Sequence, residues 1–164
     1  MTETPALKSR LQQPRILTVP GIFDALSALL AEQAGFEAAF LSGSAVAYSQ
    51  LGRPDVGLVT VNEMADVCAR ITDRVAMPIL ADVDSGFGNA AHAARAIRML
   101  EQAGAAGVQV EDQVPVKRAN DLKGRPLICP DAMVDKIKAM ADARRSDSML
   151  ISARTDSSAA SRLK

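Results

Sequence analysis

The 164-residue chain is 48% hydrophobic, 23% charged and 3% aromatic, a balance that suits a globular domain and excludes a disordered tail. Nineteen basic and nineteen acidic residues cancel, so no long-range field favours nucleic acid, and a small ligand is expected in preference to a polyanion. Residues 1–13 include Lys8 and Arg10 but no apolar segment of signal-peptide type, and no run of ~18 apolar residues occurs anywhere, which points to the cytoplasm and away from a membrane.

In chain order, Leu17-Thr18-Val19 reads as a first strand and Pro20-Gly21 as the turn after it. Asp24 to Gln33 then reads as a helix with Leu26, Leu29 and Leu30 on one face, stopped by Gly35. Ala38 to Leu41 is a second apolar run, followed by a loop containing glycine and proline. Thr60-Val61-Asn62-Glu63 has the form of a capping box and opens a helix to about Thr72, with Met64, Val67, Cys68 and Ile71 as its buried stripe. Ile79 to Ala81 is a third strand. Asn89 caps a helix to about Ala103 that turns Ala93, Ile97 and Leu100 inward, and Val108 to Val110 is the fourth strand. A longer loop from Asp112 to Cys129 leads to a helix opening near Pro130-Asp131, with Met133, Ile137 and Met140 inward, and Met149 to Ala153 is the fifth strand.

Alternation of helices with short, continuous apolar strands predicts a parallel sheet covered by helices, either doubly wound or a barrel. The polar residues decide between them. Ser42 and Gly43, Asp82 and Asp84, Glu111 and Asp112, and Arg154 and Asp156 all follow strand C-termini, and in a barrel those positions converge on one mouth. A whole barrel needs ~250 residues and eight βα units, so residues 1–164 are expected to form a single partial domain: an α/β fold of the (β/α)8 TIM-barrel type, cut after about the fifth strand. Exposed sheet edges would then favour association.

Asp82 and Asp84 lie two residues apart, which places both carboxylates on one side of an extended strand end, and Glu111 belongs to the neighbouring tip. Three acids at one point repel unless a divalent cation neutralises them, and an oxygen-only set favours magnesium or manganese over zinc. The same acids can instead cap a turn before Gly86 and Gly88 while Glu111 pairs with a lysine; spacing alone leaves both readings open. His92, the one histidine, falls in a helix and is expected to play no catalytic part. Cys68 and Cys129 are too few and too distant for a disulfide framework or a zinc site, and Cys68 reads as core packing. Asp84-Ser85-Gly86-Phe87-Gly88-Asn89 contains Gly-x-Gly but lacks the third glycine of a dinucleotide loop and follows the wrong strand for one.

Six stretches in order, Pro20 to Ala25, Leu41 to Ser44, Leu51 to Asp55, Asp82 to Gly88, Val110 to Gln113 and Ala153 to Asp156, resemble the motif set of the isocitrate lyase and phosphoenolpyruvate mutase superfamily. The resemblance implies magnesium, or manganese, at Asp82, Asp84 and Glu111, partly through water, with Asp55 supporting the site in a catalytic role. It also implies a substrate-carboxylate turn at Ser42, Gly43 and Ser44, and Tyr48 close to a ligand-binding stretch. Arg154 would neutralise the substrate and take part in catalysis, and Lys117 (catalytic) and Arg118 (substrate-binding) lie on the loop after the fourth strand. The substrate class implied is a small 2-oxo or 2-hydroxy dicarboxylic acid cleaved or decarboxylated through an enolate, and the full-length family implies a homo-oligomer.

One stretch departs from the pattern. Lyases of this group carry Lys-Lys/Arg-Cys-Gly-His where this chain has Lys117-Arg118-Ala119-Asn120-Asp121. The cysteine that serves as acid or base is replaced by Ala119, and a proton-transfer group is worth ~10²–10⁴ in rate. A β-keto acid loses carbon dioxide with an electron sink alone, so oxaloacetate decarboxylation is the family activity least affected. The charged loop, with Gly124 and Pro126, is expected to act as a lid over the mouth.

Overall fold

In the computed structural model, which describes residues 7–115 and 126–157, the alternating apolar runs and amphipathic segments form α1 (Leu7–Leu11), β1 (Gly21–Ile22), α2 (Ala25–Gln33), β2 (Ala39–Leu41), α3 (Gly43–Val46) continued by a π-helical turn (Ala47–Leu51), α4 (Val61–Arg74), β3 (Ile79–Asp82), α5 (Ala90–Gln102), β4 (Gly107–Glu111), α6 (Pro130–Ala143) and β5 (Leu150–Arg154). All five strands are parallel and lie in sequence order, β1-β2-β3-β4-β5. A doubly wound sheet reverses its order at a switch point; here the order never reverses, so crossovers of one hand keep the connecting helices on one face, as in a barrel wall.

The helix starts follow the expected chemistry. Thr60 and Glu63 form a reciprocal capping box on α4, and the Asn89 side chain accepts from the Ala91 and His92 N–H groups on α5. Met64, Val67, Cys68, Ile71, Ala93, Ile97 and Leu100 are buried as expected, on one core with Ala81, Val83, Val108 and Val110 from the sheet. Each large aliphatic side chain buried there contributes ~1.5–3 kcal/mol. Cys68 packs in that core, where burial pushes its thiol up to about 12.

Four expectations need correction. The first strand is Gly21–Ile22, not Leu17–Val19, because parallel pairing to β2 begins where the Pro20 carbonyl accepts the Phe40 N–H at 2.9 Å; proline lacks only the donor. On α2 the buried residues are Ala28 and Ala31, while Leu26 and Leu30 are 64% and 57% exposed. Small side chains let this helix approach the sheet closely, and at 100° per residue Leu26 and Leu30 then point away. On α6 the inward residues are Lys136, Met140 and Ala143, with Met133 and Ile137 only half-buried. Finally, Asp84 does not continue β3: its φ is +49°, a left-handed turn that replaces the simple two-residue alternation. No helix among the described residues is long and apolar enough to cross a membrane.

Candidate active site

Register brings the polar residues to one end of the sheet. Side chains alternate along β3, with Ile79, Ala81 and Val83 buried beneath the helices and Asp82 on the opposite face. Asp82 pairs with Gln109, and Glu111 with Arg154. Asp82, Glu111 and Arg154 therefore share the face away from the helices, with Glu111 one pleat beyond Asp82. The turn at Asp84 closes that gap, since the Asp84 carbonyl accepts the Glu111 N–H at 2.8 Å.

Asp82 is held from two sides: Oδ1 accepts the Asp84 N–H at 3.0 Å and Oδ2 accepts the Gly43 N–H at 3.2 Å. Gly43 has no side chain at the point where the two carboxylates meet; a Cβ there would stand 3.3 Å from Asp82 Oδ2 and 3.6 Å from Asp84 Oδ2. Ser42 caps α3, its hydroxyl accepting the Ala45 N–H at 3.3 Å, and Ser44 follows in the same short helix. The Gly43 amide, expected to hold a substrate carboxylate, thus holds the carboxylate of Asp82.

Glu111 is 4% exposed and its Oε2 lies 3.4 Å from Arg154 Nη1. Arg154 is forked onto Asp156, with Nε donating to Oδ1 at 2.9 Å and Nη2 to Oδ2 at 3.2 Å. Burial alone would lower the pKa of the guanidinium, but the Asp156 hydrogen bond and the charges of Glu111, Asp156 and Asp82 outweigh it and raise the value. Asp156 is itself fixed: its carboxylate accepts from the Gln113 amide, which is 1% exposed, and its N–H donates to Asp112 Oδ1 at 3.0 Å. Asp112 Oδ2 also accepts the Thr155 hydroxyl at 2.6 Å.

The remaining expected site residues lie in the connection from β2 to α4 or outside the described residues. Asp55 is half-buried in the loop leading to α4, and the Tyr48 ring, on the π-helical turn, is 60% exposed at the surface. Lys117 and Arg118, with the rest of the expected lid from 116 to 125, lie outside the described residues. His92 is an exposed first-turn residue of α5 whose Nδ1 sits 2.8 Å from Asn89 Oδ1.

Two features escaped the sequence reading. The first is the Asp112–Gln113–Thr155–Asp156 brace behind Arg154, which was visible only as two polar stretches at adjacent strand tips. The second is Lys136, 4% exposed, whose Nζ donates to the Ser85 carbonyl at 2.7 Å; burial lowers its pKa. Its spacing of i, i+4 and i+7 with Met140 and Ala143 marks the inward face, but a lysine there runs against hydropathy.

The oxygen-only donor set at Asp82, Asp84 and Glu111 matches the chemistry of magnesium. Among the described residues, however, no three His, Cys, Asp or Glu side chains form a ready ligand group. The fit is therefore to an ion held by one or two carboxylates and several waters, the habit of magnesium, rather than to an all-protein cage.

The fold agrees with what the chain is similar to. A family model described as phosphoenolpyruvate phosphomutase matches residues 7–163. The chain is 46% identical over 150 residues to a 2-methylisocitrate lyase of Aeropyrum pernix, covering 92% of this chain and 48% of that protein. It is 38% identical over 156 residues to a 2,3-dimethylmalate lyase of Eubacterium barkeri, covering 95% and 54%. The solved structure of a phosphonopyruvate hydrolase in complex with oxalate and Mg++ superposes with a TM-score of 0.85 at 30% identity, over 96% of this chain and 53% of the other. The chain spans about half the length of the curated relatives it matches. With the parallel sheet in unbroken order, acids at its strand tips and a family match over nearly every residue, the chain belongs to the phosphoenolpyruvate phosphomutase family, within the isocitrate lyase and phosphoenolpyruvate mutase superfamily.

Proposed function

We propose that the protein is a magnesium-dependent carbon–carbon lyase for small 2-oxo or 2-hydroxy dicarboxylic acids. The observation that carries this reading is the convergence of Asp82, Asp84, Glu111 and Arg154 on one end of the sheet, with Arg154 Nη1 3.4 Å from Glu111 and the side-chain-free Gly43 against both aspartates. A divalent ion bound at the aspartates would supply the electron sink for an enolate. The relatives named as lyases support the same reaction class.

The residues of the chain supply the rest. A guanidinium has five N–H donors. Asp156 takes one from Nε and one from Nη2, which leaves donors on Nη1 and Nη2 for a substrate carboxylate beside Glu111. That arrangement is set before substrate arrives, since Asp156 is fixed by Gln113 and Asp112, and a preorganised donor aimed at developing negative charge is worth ~10²–10³ in rate. Glu111, nearly buried and next to the guanidinium, balances its charge and fixes its height above the sheet.

Oxaloacetate is the first substrate to test, because its decarboxylation needs no proton donor at the position of Ala119. Retro-aldol cleavage of 2-methylisocitrate is the second reading, favoured by the 46% identical relative. Both release pyruvate; succinate appears only from the second. Pyruvate release is measured with magnesium and with excess chelator, each against an enzyme-free control. Faster release that requires magnesium supports the reading, and equal rates in both conditions refute it. Self-association of the whole protein, in the cytoplasm, is part of the same proposal and is read by sedimentation.

A further inference from the structure

The turn after β3 is conformationally expensive. Asp84 and Phe87 have φ of +49° and +58°, and Gly86 and Gly88 of +82° and +149°. Non-glycine residues in this region cost of order 1 kcal/mol or more each and persist only where the surroundings over-determine them. Three constraints come from the strand tips themselves: Gly86 N–H to the Val83 carbonyl at 2.7 Å, Asp84 N–H to Asp82 Oδ1 at 3.0 Å, and Glu111 N–H to the Asp84 carbonyl at 2.8 Å. The turn is also pressed onto α5, where a Cβ on Gly86 would meet Ala93 Cβ at 2.9 Å.

A fourth constraint comes from elsewhere in the fold. Lys136, in the middle of α6, buries its ammonium to reach the Ser85 carbonyl at 2.7 Å. An apolar residue would fill this inward position without the cost of desolvating a charge. The side chain borders a cavity of about 500 Å³ lined also by Gly88, Asn89, Pro115, Ile128 and Ala132, and its ammonium is directed onto the Ser85 carbonyl by the hydrogen bond.

We propose that Lys136 is a positioning residue for the carboxylate end of the site, its ammonium locking the Ser85 carbonyl so that Asp84 stays in the left-handed conformation that turns its carboxylate back beside Asp82 and Gly43. Without this bond the Ser85–Gly86 peptide is anchored only through the Gly86 N–H to the Val83 carbonyl at 2.7 Å, and each opening of that single bond lets it rotate, because glycine accepts either sign of φ. Asp84 then relaxes towards extended backbone, and its side chain leaves the 3.6 Å approach to the Gly43 position. The inference deepens the functional reading above and rests on it for the identity of the ion.

The test compares the full chain with Lys136→Met and Lys136→Arg. Amide hydrogen exchange is followed without magnesium at Gly86 and Glu111, with Ile97 on α5 as the core reference, and magnesium binding is measured separately by calorimetry. In Lys136→Met the Gly86 and Glu111 amides exchange at least about tenfold faster while Ile97 is unchanged, and the magnesium Kd rises by a similar factor; Lys136→Arg, which keeps a charged donor, restores both to within about threefold. Unchanged protection at Gly86 and Glu111, or an equal loss at Ile97, overturns the proposal. If Lys136→Met does not fold, a scalar correlation between Lys136 15Nζ and Ser85 13C′ in the unsubstituted protein decides: its presence supports the bond and its absence overturns it. Because exchange is read without the ion, it judges Lys136 even if the unsubstituted protein binds no magnesium, a result that would refute the functional reading instead.

Discussion

Gly43→Ala separates the site from the fold. The new Cβ would stand 3.3 Å from Asp82 Oδ2, 3.5 Å from Asp82 Cγ and 3.6 Å from Asp84 Oδ2. The first contact obliges Asp82 to give by a few tenths of an ångström, which stretches its 3.2 Å bond from the Gly43 N–H towards the limit of a useful hydrogen bond. A hydrogen bond to a charged group is worth ~1.5–3 kcal/mol, and each ~1.4 kcal/mol is tenfold in an equilibrium constant. Magnesium binding should weaken by ten- to a hundredfold on this scale. Stability responds differently: glycine to alanine at an unstrained helical position stabilises by ~0.4–1 kcal/mol through the unfolded chain, which offsets part of the local loss. Calorimetric magnesium titration and urea unfolding of the same preparation read the two effects independently. A magnesium affinity within about threefold of the unsubstituted protein would refute the assignment of this cradle, because the methyl would then occupy space the ion does not need.

Arg154→Met removes the guanidinium while keeping much of its length, and pyruvate release at saturating magnesium should fall by ~10²–10³; a fall of less than about tenfold would show that charge on the substrate is met elsewhere. Glu63 offers a pH test at the N-terminus of α4. Hydrogen bonds from the Thr60 backbone N–H and hydroxyl hold its carboxyl below the usual 4.5. A depressed folded value means that the ionised form stabilises the protein above the ordinary carboxylate range, and that this contribution fades as pH falls through the folded value. The stability difference between the unsubstituted protein and Glu63→Gln, measured by urea unfolding across pH 3 to 7, should therefore be positive near neutrality and vanish in acid; a difference that grows as pH falls would contradict the capping geometry.

What could be read from the sequence depended on whether local pattern and tertiary demand agree. They agree on α4 and α5, where Met64, Val67, Cys68, Ile71, Ala93, Ile97 and Leu100 are both apolar and correctly spaced, and all are buried. They disagree on α2, where the leucines carry the hydropathy but the alanines carry the contact, because close packing rewards a small side chain that a hydropathy count ignores. β1 lies later than its composition suggests because its extent is set by a neighbouring strand 19 residues away in register, Gly21 to Phe40 and Ile22 to Leu41. At the site, the strand-tip acids were legible as polar residues ending apolar runs. The roles expected of them rest on the resemblance; the left-handed backbone at Asp84 had no signal in pattern, and Lys136 had only its helical spacing with Met140 and Ala143, set against its own hydropathy.

The register explains why a turn, rather than a longer strand, completes the site. Glu111 stands level with Arg154 and one pleat beyond the Asp82–Gln109 pair. Had β3 simply continued, residue 84 would face the same side as Asp82 but about 6–7 Å further along the strand, level with Glu111 and away from Gly43. Reversing the backbone at Asp84 returns its carboxylate to the vicinity of Gly43 while leaving its carbonyl to accept the Glu111 N–H. The glycines at 86 and 88 follow from that choice, since a chain that has reversed beside α5 must run where Ala93 and His92 leave no room for a Cβ, at 2.9 Å and 2.8 Å respectively. The grouping of carboxylates at the strand tips thus rests on a few unusual backbone angles, and the ordinary apolar core beneath supplies the stability that keeps them in place.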